Sequence, residues 1–438
     1  MRFQSTRQQE REGGIAFSEA ATRGPAPDGG LYVPESLPVL RPEDFDDCAT
    51  LPETAARLLA PFFAGDQLAD ALPEICAEAL DFPTPVVDLP GAGAPAVLEL
   101  FHGPTCAFKD VGARFLAACL GRLRRPDDKT ATILVATSGD TGGAVAAAFH
   151  RRSGFRVVVL YPQGLVSPRQ AHQLSCWDDN VFTYSVDGNF DDCQALVKAA
   201  FADAQLSGEL ALNSANSINL GRLLPQMAYY AQASLDRWRI DGLAPGFVIP
   251  TGNLGNAFAC ITARELGLPI GDIVLATNAN RPVPDFLETG AWQPRASLAT
   301  LASAMDVGNP SNMERLRWMF PDVESLRSRV SSVSVTDAEI RETIKAGPER
   351  WGQCWCPHTA TAVRVWEEMR EPQKALPWIL VATAHAAKFE TVVEPLIGRA
   401  VDVPQSLQGL LNRPAQARRL TPDLDAFRDV LRGLPASA

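Results

Sequence analysis

Six lysines occur among 438 residues, and one of them stands where an amine can do chemistry. In Phe101-His102-Gly103-Pro104-Thr105-Cys106-Ala107-Phe108-Lys109-Asp110 a strand pattern ends, a Gly-Pro turn follows, and Lys109 opens a helical pattern that continues Val111-Gly112-Ala113-Arg114-Phe115-Leu116. The helix dipole and apolar neighbours both disfavour an ammonium at such a position. A neutral amine is the nucleophile that Schiff-base chemistry requires. From position alone, a snorkelling surface lysine beside Asp110 is as good a reading.

Two glycine-rich turns supply a second kind of chemistry. Ala136-Thr137-Ser138-Gly139-Asp140-Thr141-Gly142-Gly143 and Thr251-Gly252-Asn253-Leu254-Gly255-Asn256 each follow a strand pattern and precede a helical one. Free backbone N–H groups at such a junction face an anion, with the helix dipole behind them. Neither turn is a Walker A loop or a G-x-G-x-x-G fingerprint. Gly91-Ala92-Gly93-Ala94-Pro95-Ala96 precedes a strand and is set aside. Either turn alone is equally well a tight connection; two in one chain point to two anionic groups held close together. Two phosphate cradles and an activated lysine suit a pyridoxal-phosphate enzyme acting on a phosphorylated substrate.

These parts need a scaffold of parallel strands. Ala96–Phe101, Thr132–Ala136, Arg156–Leu160, Val181–Val186, Gly246–Ile249, Asp272–Ala276 and Trp378–Ala382 are β-rich runs. Each is followed by a turn and an amphipathic helical segment, which predicts α/β architecture with mainly parallel sheet. The first eighty residues read instead as a Pro27-Asp28-Gly29-Gly30 turn and two helices, around Leu51–Phe63 and Gln67–Leu80, with a boundary at Pro83 and Pro85. Residues 278–330, rich in Pro, Asn and Gly, read as a long insertion.

Composition narrows the class. With 46% apolar and 21% charged residues the chain is an ordinary globular one of two or three domains. A net charge of −11 argues against nucleic-acid or anionic-membrane partners. No run approaches the ~18 apolar residues of a membrane span. The polar start MRFQSTRQQEREGG lacks a secretory h-region and the final LPASA lacks a prenylation cysteine. Nine scattered cysteines without C-x-x-C fit reduced thiols, so a soluble cytoplasmic protein is expected.

In its ordered motifs the chain resembles the long-chain threonine synthases of the fold-type II pyridoxal-phosphate family. These are Asp28-Gly29-Gly30-Leu31-Tyr32-Val33-Pro34, the His102-to-Asp110 lysine motif, the Ala136-to-Gly142 turn, and Asn213-Ser214-Ala215-Asn216-Ser217-Ile218-Asn219 with Arg222. Pro250-to-Asn256, Thr277-Asn278-Ala279-Asn280, Ala304-Met305-Asp306-Val307-Gly308 and Ala382-Thr383-Ala384-His385 complete the set. The resemblance implies the tryptophan-synthase-β-like fold, two α/β domains with mainly parallel sheets plus an N-terminal helical region. Expected boundaries are 1–82 for the N-terminal region, 83–130 with 226–438 for the larger cofactor domain, and 131–225 for a smaller mobile domain. It further implies pyridoxal 5'-phosphate as cofactor and O-phospho-L-homoserine as substrate. Phosphate is lost by γ-elimination, water adds at Cβ, and the last step of threonine biosynthesis is completed.

Residue by residue, the resemblance makes Lys109 the Schiff-base lysine and proton carrier. The backbone of Gly252, Asn253, Leu254, Gly255 and Asn256 holds the cofactor phosphate, and Thr383 places a hydroxyl near the pyridine nitrogen. Asp140 lies where many relatives have Asn beside the cofactor 3-hydroxyl. Asn216, Ser217 and Arg222, with Ser138, Thr141 and a contribution from Asn253, are implied for the substrate phosphate; Asn216-Ser217 also reads as a helix N-cap. A monomer or homodimer is expected. Two rivals use the same parts: a phospho-lyase that makes no threonine, and a non-catalytic phospholigand-binding protein.

Other groups carry less. Cys354-Trp355-Cys356-Pro357-His358 lacks a second ligand pair at zinc spacing, and Cys356 replaces an acidic residue usual in the family. Cys106 reads as a core thiol, and Arg122-Leu123-Arg124-Arg125 as a match to a helix C-terminus. Lys388, the one rival for the Schiff base, reads as a helix lysine; His385 lines the cofactor or caps that helix.

Overall fold

All seven β-rich runs are strands in the computed structural model, which describes residues 1–8 and 13–435. Residues 9–12, in the polar MRFQSTRQQEREGG start, and 436–438, in the final LPASA, lie outside the described residues. The strands in chain order are β1 (Phe3–Ser5), β2 (Tyr32–Pro34), β3 (Val86–Asp88), β4 (Ala96–Glu99), β5 (Ala131–Ala136), β6 (Phe155–Pro162) and β7 (Val181–Val186). β8 (Leu212–Ser214), β9 (Gly246–Pro250), β10 (Ile273–Thr277), β11 (Val330–Ser334), β12 (Trp378–Ala382) and β13 (Arg418–Leu420) follow. They form a six-stranded sheet of order β11-β10-β9-β12-β4-β3, a five-stranded sheet of order β13-β7-β6-β5-β8, and the small pair β1-β2. Every pairing in the two large sheets is parallel except β3 with β4. All eight residues of β6 are buried, as a near-continuous apolar strand covered on both faces must be. The chain is thus an α/β protein with two mainly parallel sheets.

The N-terminal helix Leu51–Phe63 is set by a capping box. The Thr50 hydroxyl accepts from Glu53 N–H, and the Glu53 carboxylate accepts from Thr50 N–H at 2.9 Å. Its Leu58, Leu59, Phe62 and Phe63 are fully buried. The second helix begins at Leu72 rather than Gln67, because a turn through Asp66 and Ala69 precedes it and Pro73 occupies its first turn.

One difference from the sequence reading concerns the C-terminal half. β13 pairs with β7 in register Arg418↔Tyr184, and Phe427 and Leu431 of the helix Leu424–Arg432 are buried beside Val158, Leu160 and Val186. The end of the 226–438 segment therefore packs on the smaller sheet, not in the larger domain to which it was assigned. Arg418-Arg419-Leu420 has no apolar run, so only its pairing marks it as a strand. The 278–330 insertion is ordered, with helices Pro282–Thr289, Met313–Met319 and Val323–Arg327. Polar side chains pin it: Asp306 accepts from Asn278 and from the Thr300 hydroxyl, each at 2.7 Å. Polar anchoring leaves little hydrophobic periodicity to read.

No helix among the described residues is long and apolar enough to cross a membrane.

Candidate active site

Lys109 is the first residue of the helix Lys109–Leu123, and three sets of contacts fix the turn before it. The buried Asp110 carboxylate accepts from Thr105 N–H at 2.8 Å and from the Thr105 hydroxyl at 2.7 Å. A Cβ on Gly103 would lie 2.5 Å from Asp110 Oδ2, so only glycine fits against that carboxylate. Phe108 N–H donates to the Thr383 carbonyl (2.9 Å), and His385 N–H donates to the Cys106 carbonyl (3.1 Å). The turn is thereby stitched to the end of β12. Asp110 closes its own turn and is not the partner of Lys109, which removes the surface-pair reading. Lys109 Nζ lies 4.4 Å from the Phe108 ring centroid. Burial pushes its amine down to about 8, opposed by the charge of Asp140.

The Thr251-to-Asn256 turn joins β9 to the helix Gly255–Glu265, with Leu254 in the left-handed region at φ +63°. Among the described residues, no carbonyl or side chain accepts from the N–H groups of Gly252, Asn253, Leu254, Gly255 or Asn256. The turn is braced from behind. Asn256 Oδ1 accepts from the Thr251 hydroxyl (2.8 Å), its Nδ2 donates to Pro250 O (3.0 Å), and Asn253 Oδ1 accepts from Ser311 N–H (3.1 Å). A Cβ on Gly252 would stand 2.7 Å from Met305 Cα. Free N–H groups at a helix start make this an anion cradle that fits a phosphate.

The other turn is organised by one hydroxyl. Thr137 Oγ1 accepts from Gly139 N–H (3.0 Å) and Gly142 N–H (2.9 Å) and donates to Gly139 O (3.1 Å). That leaves Ser138 and Thr141 half-buried, with side chains that make no hydrogen bond among the described residues. Asn216 and Ser217 are likewise half-buried with unengaged side chains. They do not cap the following helix: Asn219 does, accepting from Gly221 N–H at 2.9 Å.

Arg222 is 4% exposed, and its Nη1 donates to Ala215 O at 2.7 Å. Its Nε is buried without an acceptor, and no carboxylate pairs with it among the described residues. Burial pushes its guanidinium down to about 10. A buried cation lacking a counter-ion is costly unless an anion arrives. A Cβ on Gly112 would sit 2.5 Å from Arg222 O, so the lysine helix and the Arg222 segment pack backbone to backbone.

Thr383 is buried at the end of β12 and its hydroxyl is unengaged. Asp140, first residue of the helix Asp140–Phe149, is held well below the usual carboxylate range: burial opposes this, but Lys388 and then Lys109 outweigh it. Lys388 lies inside the protein, 1% exposed, with Nζ 2.8 Å from Asp140 Oδ1. Lys388 is a helix lysine, as read from the sequence, in the 3₁₀ helical turn Ala386–Phe389; its burial is what the sequence did not show. His385 caps that turn, its Nδ1 accepting from Ala387 N–H.

Further residues brace the site, and of these Arg315 and Asn312 escape sequence reading. Arg315 is fully buried and donates to Tyr32 O (3.1 Å), Ile218 O (2.7 Å) and Asn312 Oδ1 (2.5 Å), while Asn312 donates to Asn253 O (2.9 Å). It ties the N-terminal region to the Asn213-to-Asn219 segment and, through Asn312, to the Thr251-to-Asn256 cradle. His358 Nε2 accepts from Ala304 N–H (3.0 Å), and burial pushes the imidazole down to about 4. Cys356 caps its helix by accepting from Thr359 N–H. No group of residues able to hold a metal occurs among the described residues.

Residues 78–383 match the family described as pyridoxal-phosphate dependent enzyme. Residues 2–80 match the threonine synthase N terminus, and 359–431 its C-terminal family. The threonine synthase of Escherichia coli is 38% identical over 95% of this chain and 96% of its own length. The chain belongs to the threonine synthase family. The solved threonine synthase of Escherichia coli superposes with a TM-score of 0.89 at 36% identity, and that of yeast with 0.90 at 29%, each over 99% of this chain and at least 98% of its own. The PLP-bound threonine synthase of Brucella melitensis gives 0.89 at 34% identity, over 99% of both chains. The protein is thus a pyridoxal-phosphate-dependent enzyme of fold type II, and its reaction is that of threonine synthase.

Proposed function

We propose that this chain turns O-phospho-L-homoserine and water into L-threonine and phosphate at the cluster of Lys109, Asp140, Arg222, Thr383 and the two cradles. The observation that carries the residue assignment is Arg222, buried with an Nε that has no acceptor; the unengaged side chains of Asn216, Ser217, Ser138 and Thr141 are the neutral donors this reading assigns to the same anion. One phosphate site serves the cofactor at Gly252–Asn256; a second, cationic one suits a substrate that carries its own phosphate.

When bound, pyridoxal phosphate supplies an electrophilic carbon and a conjugated ring that accepts the electron pair left by a departing proton. The N–H groups of Gly252–Asn256 would hold its phosphate, Thr383 would face its ring, and Lys109 would meet its reactive carbon. Lys109, as a free amine, takes protons from Cα and Cβ of the substrate and returns them. Arg222 and the neutral donors around it strengthen their grip as charge grows on the leaving phosphate, which lowers the barrier to elimination. Water then adds at Cβ, and the phosphate still held by Arg222 serves as its base. The segment 131–225, carrying Ser138, Thr141, Asn216 and Ser217, closes over the substrate and excludes bulk water. The protein works in the cytoplasm as a monomer or homodimer, without a nucleic-acid or membrane partner.

Product analysis with O-phospho-L-homoserine tests this reading. Threonine and phosphate in equal amounts are expected, and phosphate analogues should change the ratio of threonine to 2-oxobutyrate. Formation of 2-oxobutyrate without threonine would make the protein a phospho-lyase and overturn the proposal.

A further inference from the structure

A buried carboxylate, Asp140, pairs with a lysine beside the turn that leads to Lys109. Lys388 Nζ lies 2.8 Å from Asp140 Oδ1 and donates to Thr105 O at 2.7 Å, in the turn that leads to Lys109. Gln170 Nε2 donates to the same Asp140 oxygen (3.0 Å), and Gln173 Nε2 to the same Thr105 carbonyl (3.2 Å). The Ser167 hydroxyl donates to the carbonyl of Lys388 itself (2.6 Å). Lys388 is therefore held on several sides, with its ammonium directed at Asp140.

The groups that act on Lys109 come from four elements. Asp140 heads the helix Asp140–Phe149, Lys388 lies in the turn after β12, Arg222 in the helix Leu220–Leu223, and Cys356 and His358 at the start of the helix Pro357–Glu367. Cys356 is a neutral thiol, pushed up by burial, and His358 a neutral imidazole. Asp140 is thus the anion of the set, and its charge is already engaged by Lys388. A carboxylate in contact with Lys109 alone would hold it as an ammonium, which cannot attack an electrophilic carbon.

We propose that Lys388 is a positioning residue for the reaction: by engaging Asp140 it withholds the carboxylate that would otherwise keep Lys109 charged, and so leaves the Lys109 amine free. The inference rests on the assignment of Lys109 made above.

The test is the pH dependence of Lys109 reactivity in the full chain stripped of cofactor. Reductive methylation by formaldehyde and cyanoborohydride, followed on the Lys109 peptide by mass spectrometry between about pH 6 and 10, reads the free-amine fraction without turnover. The wild-type midpoint is expected near 8. Lys388→Met removes a repelling cation and frees Asp140, so the midpoint rises and neutral-pH labelling falls about tenfold per unit of rise. Lys388→Arg restores a cation and returns the midpoint toward wild type. An unchanged midpoint in Lys388→Met overturns the proposal. If that variant does not fold, Asp140→Asn decides: its midpoint should lie at or below wild type, and a rise overturns the proposal. Borohydride reduction of the holoenzyme separately shows whether Lys109 is the reacting lysine, so failure of that assignment is distinguishable from failure of this one.

Discussion

Replacing Thr137 by valine keeps the shape of a fully buried side chain and deletes the hydroxyl that shapes the first anion turn. That hydroxyl accepts two backbone N–H groups, of Gly139 and Gly142, and donates to the carbonyl of Gly139. All three groups are buried, with Thr137 1% exposed. A buried polar group left without a partner costs about 1–3 kcal/mol. Relaxation of the turn toward the cleft recovers part of that, so Thr137→Val should destabilise by about 2–4 kcal/mol. The relaxation also moves Ser138 and Thr141, so KM for the phosphorylated substrate should rise by at least about tenfold, the equivalent of 1.4 kcal/mol. Thr137→Ser loses only the methyl that packs on Gly142 and should keep most of the wild-type KM. Thermal unfolding of the holoenzyme together with steady-state kinetics on the three proteins reads both effects. A valine variant with wild-type Tm and KM would refute the reasoning, because the turn would then hold its shape without the hydroxyl.

Arg222→Met should cost about 1.5–3 kcal/mol of substrate binding, seen as a KM raised roughly 10- to 150-fold, while the cofactor-free protein is as stable as wild type or more so, since an unpaired buried cation is gone; a large loss of Tm would contradict the view that Arg222 awaits an anion. Gly252→Ala forces a Cβ to within 2.7 Å of Met305 Cα, a backbone atom, so equilibrium dialysis should show pyridoxal phosphate bound at least about tenfold more weakly. His358 is pushed from 6.5 down to about 4, so below pH 6.5 the unfolded chain takes a proton that the folded chain refuses. Stability therefore falls as pH drops from about 6.5 to 4, by about 3 kcal/mol from this residue, and urea unfolding of His358→Gln across that range should lack this component.

What the sequence makes legible follows from where the information lies. Lys109, the Thr251-to-Asn256 turn and the Ala136-to-Gly143 turn are local patterns: a strand end, glycines where a Cβ does not fit, and a helix start. Each stands in the structure where those patterns put it. The seven buried strands are legible for the same reason, as short β-branched runs bounded by turns. Lys388 is not, because its burial and its ion pair depend on Asp140, 248 residues earlier in the chain. Arg315 is hidden in the weakly periodic insertion, and two of its three acceptors, the carbonyls of Tyr32 and Ile218, come from distant segments. β13 has the composition of a loop and is a strand only through β7. Thr137 is visible as a motif letter, yet its threefold hydrogen bonding appears only once the turn is folded.

In the proposed reaction Lys109 is the amine that reacts with pyridoxal phosphate. Borohydride reduction of the holoenzyme, proteolysis and peptide mass spectrometry measure it directly. A reduced pyridoxyl group is expected on the peptide that contains Lys109 and none on the peptide that contains Lys388. Reduction on Lys388, or a holoenzyme that reduces with Lys109 unmodified, would contradict it.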